Sequence, residues 1–296
     1  MKEINKTEFT ESCPICQGRM QTLYSVNRFS PALEIWFCES CGLQQNRTLP
    51  ADLSTLYDEG YYTGTASYTY EDERKQEEAN DIVWQARLRT IARSKPAPAR
   101  FLDVGCSFGG FVAAAERAGY TATGLDLSAF AVKEGKKRGR NLIQGFVEPQ
   151  TFAPESFDIV SLIEVMEHLP DPKEAARTLS GWLRPGGLAV IQTANFDGRQ
   201  ARRQGSNYHY YLPGHLYYYS ARNLKNLLRQ AGFSRFRLYR PVDFSLKAKL
   251  QKMRKQAEPE SVSAGRLLRT SFYHIQGWIS MKDFALTSSM VLYAFK

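Results

Sequence analysis

The chain has 296 residues, 43% of them hydrophobic and 23% charged, with a formal charge of +9. That length holds one large domain and a small one, and the composition is that of a globular protein, which excludes disordered and fibrous classes. The first residues, MKEINKTEFTESCPIC, form no apolar leader and no run reaches the ~20 residues of a membrane span, so a cytoplasmic protein is expected.

The first pattern in chain order is a pair of CxxC knuckles, Cys13-Pro-Ile-Cys16 and Cys38-Glu-Ser-Cys41, with 21 residues between them and Gly42 behind the second. Two such pairs at this separation match a four-thiolate zinc ribbon, with Cys13, Cys16, Cys38 and Cys41 as ligands and LEIWFC (33–38) as a strand entering the second knuckle. The other reading, two redox pairs, wants a thioredoxin-like helix after the first motif. A closed four-sulfur site keeps no open position, so its role is structural or docking. A tyrosine-rich loop, Tyr57 to Tyr62, follows, and then a charged helix over Glu71 to Ser94, with Ile82, Val83, Ala86, Leu88 and Ile91 on its apolar positions. Pro96 and Pro98 end it. The expected organisation is a ribbon with its loop in 1–60, a helical connector in 61–98 and a large domain in 99–296.

Phe101 to Ser128 reads FLDVGCSFGGFVAAAERAGYTATGLDLS. An apolar strand enters the turn Gly105-Cys106-Ser107-Phe108-Gly109-Gly110, an alanine-rich helix follows, and a second strand ends on Asp126. Glycines let a backbone approach a ligand closely, and a carboxylate ending the next strand is placed to accept ribose hydroxyls. A dinucleotide fingerprint would have a glycine where Ser107 stands. Asp103, inside the strand end, would repel a pyrophosphate and suit an ammonium group. A ligand with a ribose and an amino-acid tail therefore fits better than NAD. Gly105-x-Ser107-x-Gly109 also spells a nucleophile elbow, with Asp197 and His215 following in hydrolase order, so a serine hydrolase at Ser107 is an alternative. Such an enzyme needs neither Asp103 nor Asp126.

Strands and helices then alternate as in a doubly wound, mostly parallel α/β sheet. After strands at 101–104 and 121–126, five more are expected: 141–144, 157–163, 188–193 behind Leu183-Arg-Pro-Gly-Gly187, 236–240 after a helix at 221–230, and 289–295. FDIVSLIEVMEHLPDP puts Glu164, Glu167 and His168 at the carboxyl end of the fourth strand and on the helix expected to start there, facing the crevice, and PGHLYYYS brings His215 after the fifth. Carboxylates and imidazoles suit Mg, Mn or Zn, and His168 or His215 suits a general base. Tyr208, Tyr210, Tyr211, Tyr217, Tyr218 and Tyr219 crowd the same mouth, half or more of them expected as core. Residues 199–296 hold 18 Lys and Arg against 4 Asp and Glu, a balance of +14. Within them 242–287 is a long basic stretch in which Leu246, Leu250 and Met253 mark an amphipathic helix.

LDVGCSFG followed by GLDLS, with LRPGG downstream, resembles the class I S-adenosylmethionine (SAM) methyltransferases over about residues 100–240. The resemblance implies a seven-stranded sheet whose last two strands are antiparallel, with 242–287 as an insertion between them. It also implies SAM as cofactor: Asp103 near the methionine amine, Gly105, Cys106, Ser107 and Gly109 along the methionine, Asp126 on the ribose, and Leu127, Phe146 and Glu164 completing the set. The ExxEH spacing is similar to that of metal-dependent O-methyltransferases, including ubiquinone-biosynthesis and small-RNA 2′-O-methyltransferases, which implies a divalent ion at Glu164, Glu167, His168 and His215. A zinc ribbon ahead of such a domain resembles deoxysugar C-methyltransferases. The expected activity is methyl transfer to a hydroxyl of a small, anionic acceptor. RNA methylation through the basic segment, sugar C-methylation and a non-catalytic SAM-binding module are the alternatives, and peripheral membrane contact through 242–287 is a further expectation.

Overall fold

Parallel strands must be covered on both faces, and the alternation after residue 99 supplies that cover. The computed structural model describes residues 11–48, 59–64, 72–256, 263–279 and 285–296; Tyr57, Glu71 and parts of 242–287 lie outside these. The ribbon is built on β1 (Met20–Val26), β2 (Leu33–Cys38) and β3 (Gln44–Asn46), paired antiparallel. A short strand from far downstream, β9 (Tyr217–Tyr218), adds to its edge, giving the order β1-β2-β3-β9.

The large sheet comprises β4 (Arg100–Val104), β5 (Thr121–Asp126), β6 (Leu142–Gln144), β7 (Phe157–Ile163), β8 (Leu183–Ala194), β10 (Arg235–Tyr239) and β11 (Ser289–Phe295). Its order is β10-β11-β8-β7-β4-β5-β6, all parallel except β11, which runs antiparallel to both neighbours. This is the doubly wound, seven-stranded class I methyltransferase topology. The period-2 pattern divides the core: Leu102, Val160, Leu162, Ile191 and Leu292 pack on one face with Trp182, whereas Phe101, Ile159, Val190 and Val291 pack on the other with Phe111 and Val112.

Helices α1 (Glu59–Thr63), α2 (Glu77–Ala92), α3 (Gly110–Arg117), α4 (Ala129–Lys137), α5 (Pro172–Trp182), α6 (Arg199–Gln204) and α7 (Ala221–Gln230) flank the sheets. Their starts are chemically marked. Asp171 accepts from the Lys173 and Glu174 N–H groups at 2.9 Å, with Pro172 in the first turn of α5, and Ser220 and Asn223 close a reciprocal capping pair on α7. Several elements differ from expectation, beginning with the tyrosine-rich loop, which carries α1. The charged helix is split: a 3-10 turn at Glu73–Lys75, capped by Asp72, precedes α2. The LRPGG segment does not precede the fifth strand but belongs to it, with the register against β7 shifting between Phe157 and Ile159 to accommodate the glycines. The basic stretch holds the expected α8 (Leu246–Gln256) and also an unexpected α9 (Ala264–Ile279). No helix among the described residues is long and apolar enough to cross a membrane.

Candidate active site

The crevice opens at the carboxyl ends of β4, β5 and β7, and the order of the sheet reverses between β4 and β7. Gly105 and Gly109 take φ values of +69° and +77°, and a Cβ on Gly105 would lie 2.4 Å from Val165 Cγ2, so the turn needs glycine there. Ser107 shares the left-handed conformation, at φ +50°, and its N–H donates to Asp126 Oδ2 at 2.8 Å. Asp126 Oδ1 accepts from Ser128 N–H at 2.9 Å and from the Tyr62 hydroxyl at 3.1 Å. Asp103 is buried, accepts from Ser161 Oγ at 2.6 Å, and is pushed up to about 7 by burial. Burial also raises Asp126, and lifts Glu73, on the 3-10 turn, to about 7. Three carboxyl groups thus gather where a cation would relieve them. Cys106 is a packing residue: its Sγ would stand 2.6 Å from a Cβ on Gly124. Leu127 is half-buried beside Asp126, and Phe146 is exposed at the rim.

Across the crevice, Glu164 directly follows β7 with φ +55°, a conformation rare for a residue with a side chain. It is held on both sides by one residue of β8: its N–H donates to the Gln192 carbonyl at 2.9 Å and its Oε1 accepts from Gln192 Nε2 at 2.7 Å. Behind Gln192 lies Arg87 of α2, whose guanidinium donates to Gln192 Oε1 and, through Nε at 2.9 Å, to Asp243; Asp243 also accepts from the Tyr293 hydroxyl at 2.7 Å. This Glu164–Gln192–Arg87–Asp243–Tyr293 chain is buried at its Arg87–Asp243 ion pair, and nothing in the spacing of these residues announces it.

Glu167 and His168 stand in a 3-10 turn, Met166–His168, rather than on a helix. Glu167 is 2% exposed, and neither of its carboxylate oxygens makes a hydrogen bond of good geometry among the described residues, although Thr193 and Glu164 lie near it. Burial first, and then the nearby Glu164 charge, push it well above the ordinary carboxylate range. His168 Nδ1 contacts the Gly214 carbonyl at 2.8 Å, which fixes the N–H on that nitrogen, and burial lowers the ring to about 4. His215 lies edge-on to it, with centroids 4.7 Å apart. Burial, reinforced by His168, holds His215 well below its ordinary value, and its Nδ1 has no hydrogen-bond partner among the described residues. Ligand atoms of Glu167, His168 and His215 all lie within 4.8 Å of one another. Two neutral imidazoles beside an unsatisfied buried carboxylate fit a divalent cation.

The ribbon forms the wall of this group. Asn46 N–H donates to the Leu216 carbonyl at 2.9 Å, and Leu216 N–H donates to the Glu167 carbonyl at 2.8 Å, so two hydrogen bonds link the ribbon to the turn. In β3–β9, Gln44 faces Tyr218 and Gln45 faces Tyr217. Arg28 donates to the carbonyls of Ser206, Tyr208 and Tyr211 at 2.6–2.9 Å, and the Tyr211 hydroxyl meets Tyr24 and Gln44. The tyrosines are mainly structural: Tyr208, Tyr211, Tyr217, Tyr218 and Tyr219 are buried. Below them, Cys13, Cys16, Cys38 and Cys41 bring their sulfurs within 4.8 Å of one another, with Cys13–Cys41 at 3.6 Å and Cys16–Cys38 at 3.4 Å. A tetrahedron with Zn–S bonds of ~2.3 Å has edges of ~3.8 Å, so the cage fits zinc.

The serine-hydrolase alternative fails on geometry. Asp197, its third member, pairs with Arg202 at 2.8 Å, and His215 faces His168 and Tyr218.

Residues 74–235 match a family described as a methyltransferase domain. The ubiquinone biosynthesis O-methyltransferase of Thiobacillus denitrificans is 32% identical over 117 residues, 37% of this chain and 50% of that protein. That of Xanthomonas axonopodis pv. citri is 35% identical over 111 residues, 35% of this chain and 46% of that protein. The chain spans about half the length of the curated relatives it matches. Phosphoethanolamine N-methyltransferase 2 of Haemonchus contortus, in complex with phosphomonomethylethanolamine and S-adenosylhomocysteine, shares the fold with a TM-score of 0.57 at 17% identity, over 86% of this chain and 62% of that one.

Proposed function

The chain belongs to the methyltransferase-domain family, and from that membership we propose that it transfers the methyl group of SAM to a hydroxyl oxygen of a small molecule. The observation that carries the acceptor chemistry is the buried cluster of Glu167, His168 and His215, whose ligand atoms lie within 4.8 Å of one another and in which neither the Glu167 oxygens nor His215 Nδ1 makes a hydrogen bond of good geometry among the described residues. Oxygen as the accepting atom is supported by the relatives named as O-methyltransferases.

On this reading Asp126 holds the ribose hydroxyls, and Asp103 and Glu73 face the cationic half of SAM, whose sulfonium carries the methyl to be moved. Gly105, Cys106, Ser107 and Gly109 let the methionine lie against the backbone, with Leu127 and Phe146 at the rim and Glu164 opposite. A divalent cation held by Glu167, His168 and His215, with Glu164 at its border, would lower the pKa of an acceptor hydroxyl as a Lewis acid. The imidazoles are neutral at physiological pH because burial disfavours their charged forms, so His215 Nδ1 is competent either to ligate or to take the hydroxyl proton. The buried chain from Tyr293 to Gln192 keeps Glu164 in its strained position, which restricts where the acceptor oxygen can stand. The zinc ribbon holds the His215 loop. The four-cysteine cage takes no part in the chemistry, since a closed site offers no open coordination position.

Catechol, whose two adjacent hydroxyls can chelate a cation, is the probe. Incubation with SAM and Mg or Mn is expected to yield monomethylated catechol and S-adenosylhomocysteine. Glu167→Gln and His215→Ala should each abolish the metal response without loss of SAM binding. Undiminished turnover in both variants would overturn the assignment.

A further inference from the structure

Helix α9 is amphipathic in the wrong sense for a soluble protein. Leu268, Phe272, Ile275, Trp278 and Ile279 are 74, 61, 43, 70 and 61% exposed, while His274 and Gly277 are buried. At 3.6 residues per turn, Leu268, Phe272, Ile275 and Ile279 fall within about 60° of one another, over a length of about 17 Å. A helix on a globular surface ordinarily turns such a stripe inward. This one cannot roll over, because Gly277 packs so tightly on Arg240–Pro241 that a Cβ there would lie 2.4 Å from the Arg240 carbonyl oxygen. The stripe is therefore held facing outward by its own anchoring contact.

Charge identifies what covers it. Helices α8 and α9 carry Lys247, Lys249, Lys252, Arg254 and Lys255, and Arg266 and Arg269, and contain no Asp or Glu. Arg269 lies beside the stripe on the helical wheel, and neither it nor Arg266 pairs with a carboxylate among the described residues. A second copy of this chain docked through the same stripe would bring Arg266 and Arg269 against their own counterparts. A surface that offers apolar depth with negative charge above it satisfies both features. Trp278, at the end of the stripe, has the amphipathic ring that suits such a boundary.

We propose that α9 docks this protein on an anionic phospholipid surface, its apolar stripe entering the boundary between headgroups and acyl chains and its arginines meeting the phosphates. The proposal does not depend on the acceptor chemistry, and failure of either leaves the other standing.

The test is co-sedimentation of the full chain with vesicles of phosphatidylcholine and phosphatidylglycerol, against phosphatidylcholine alone, with tryptophan emission as a second readout. Binding to the anionic vesicles and a blue shift are expected, with Trp278→Phe abolishing the shift. The exposed-site double variant Phe272→Ser/Trp278→Ser should lose binding while keeping its SAM affinity, which shows it folded. Replacing Arg266 and Arg269 by Ser should weaken binding about 25-fold, since each basic residue at an anionic surface contributes roughly fivefold. Folded protein that stays in the supernatant with anionic vesicles would overturn the proposal. So would a dimer that dissociates in the Phe272→Ser/Trp278→Ser variant with no lipid binding by the parent, because the stripe would then belong to a second copy.

Discussion

The two sides of the crevice are built by opposite strategies. The side we assign to the cofactor is built mainly on one continuous stretch, Phe101 to Ser128, whose turn and strand ends are fixed by local backbone requirements, with Tyr62 and Glu73 added from the segment before it. The acceptor side is assembled from β3, the turn at Met166–His168, Gln192 and the loop through His215, segments with more than a hundred residues between the first and the second. A local site tolerates change elsewhere in the chain. A site assembled from distant parts makes remote residues matter to its geometry, because each part is held by another.

If this division is right, variants on the two sides should separate turnover from SAM affinity. The largest effect is expected from His215→Ala, which should lower kcat by about 10²- to 10⁴-fold, the usual range for a lost proton-transfer group, with calorimetric SAM affinity unchanged. Asp126→Ala should do the reverse to binding, weakening SAM by about ten- to a hundredfold, as expected for hydrogen bonds to a charged group. An unaltered dissociation constant would break the cofactor assignment. Arg28→Ala, which frees three carbonyls of the His215 loop from the ribbon, should lower kcat about tenfold through misplacement and leave SAM affinity within a factor of two.

The smallest effect is protonic. Asp103 stands at about 7 against an ordinary 3.8, so between those values the folded apo protein holds a proton that the unfolded chain has lost. Its contribution to stability therefore declines as pH rises through that window and levels off above about 7. Cationic SAM favours the carboxylate, so binding near pH 6.5 should release protons, from Glu73 as well, and the release should fade by about pH 8.5. Calorimetry in buffers of different ionisation enthalpy would read this directly; proton uptake would contradict it.

The same division governs what could be read from the sequence. The glycine turn was legible because a tight strand-to-helix turn demands positive φ at Gly105 and Gly109, and its acids because Asp103 and Asp126 lie in the end residues of two apolar strands. The four-sulfur cage was legible from spacing, since each CxxC knuckle folds on itself. The proximity of Glu167, His168 and His215 was anticipated from motif resemblance, but their support was not. Arg87, Gln192 and Asp243 meet only through tertiary packing, and no periodicity reports a contact between a connector helix and the start of an insertion. The helix at Ala264–Ile279 escaped because its apolar residues point away from the core, and the scattered Leu, Phe and Trp gave no sign of which face was buried. Asp197 misled: chain order suits a triad, but its side chain belongs to Arg202.

The two-residue strand β9 also sets a sequence of events in time. Gln45 and Tyr217 are 172 residues apart, so their pairing is among the slowest contacts for a growing chain to close. The edge it joins exists only once the ribbon has folded, and the four-cysteine cage would couple that folding to a bound metal. The cofactor crevice can be complete while the histidine loop still lacks its wall. On the proposed function, zinc supply during synthesis would determine how much of the protein matures beyond a state in which only the cofactor crevice is built.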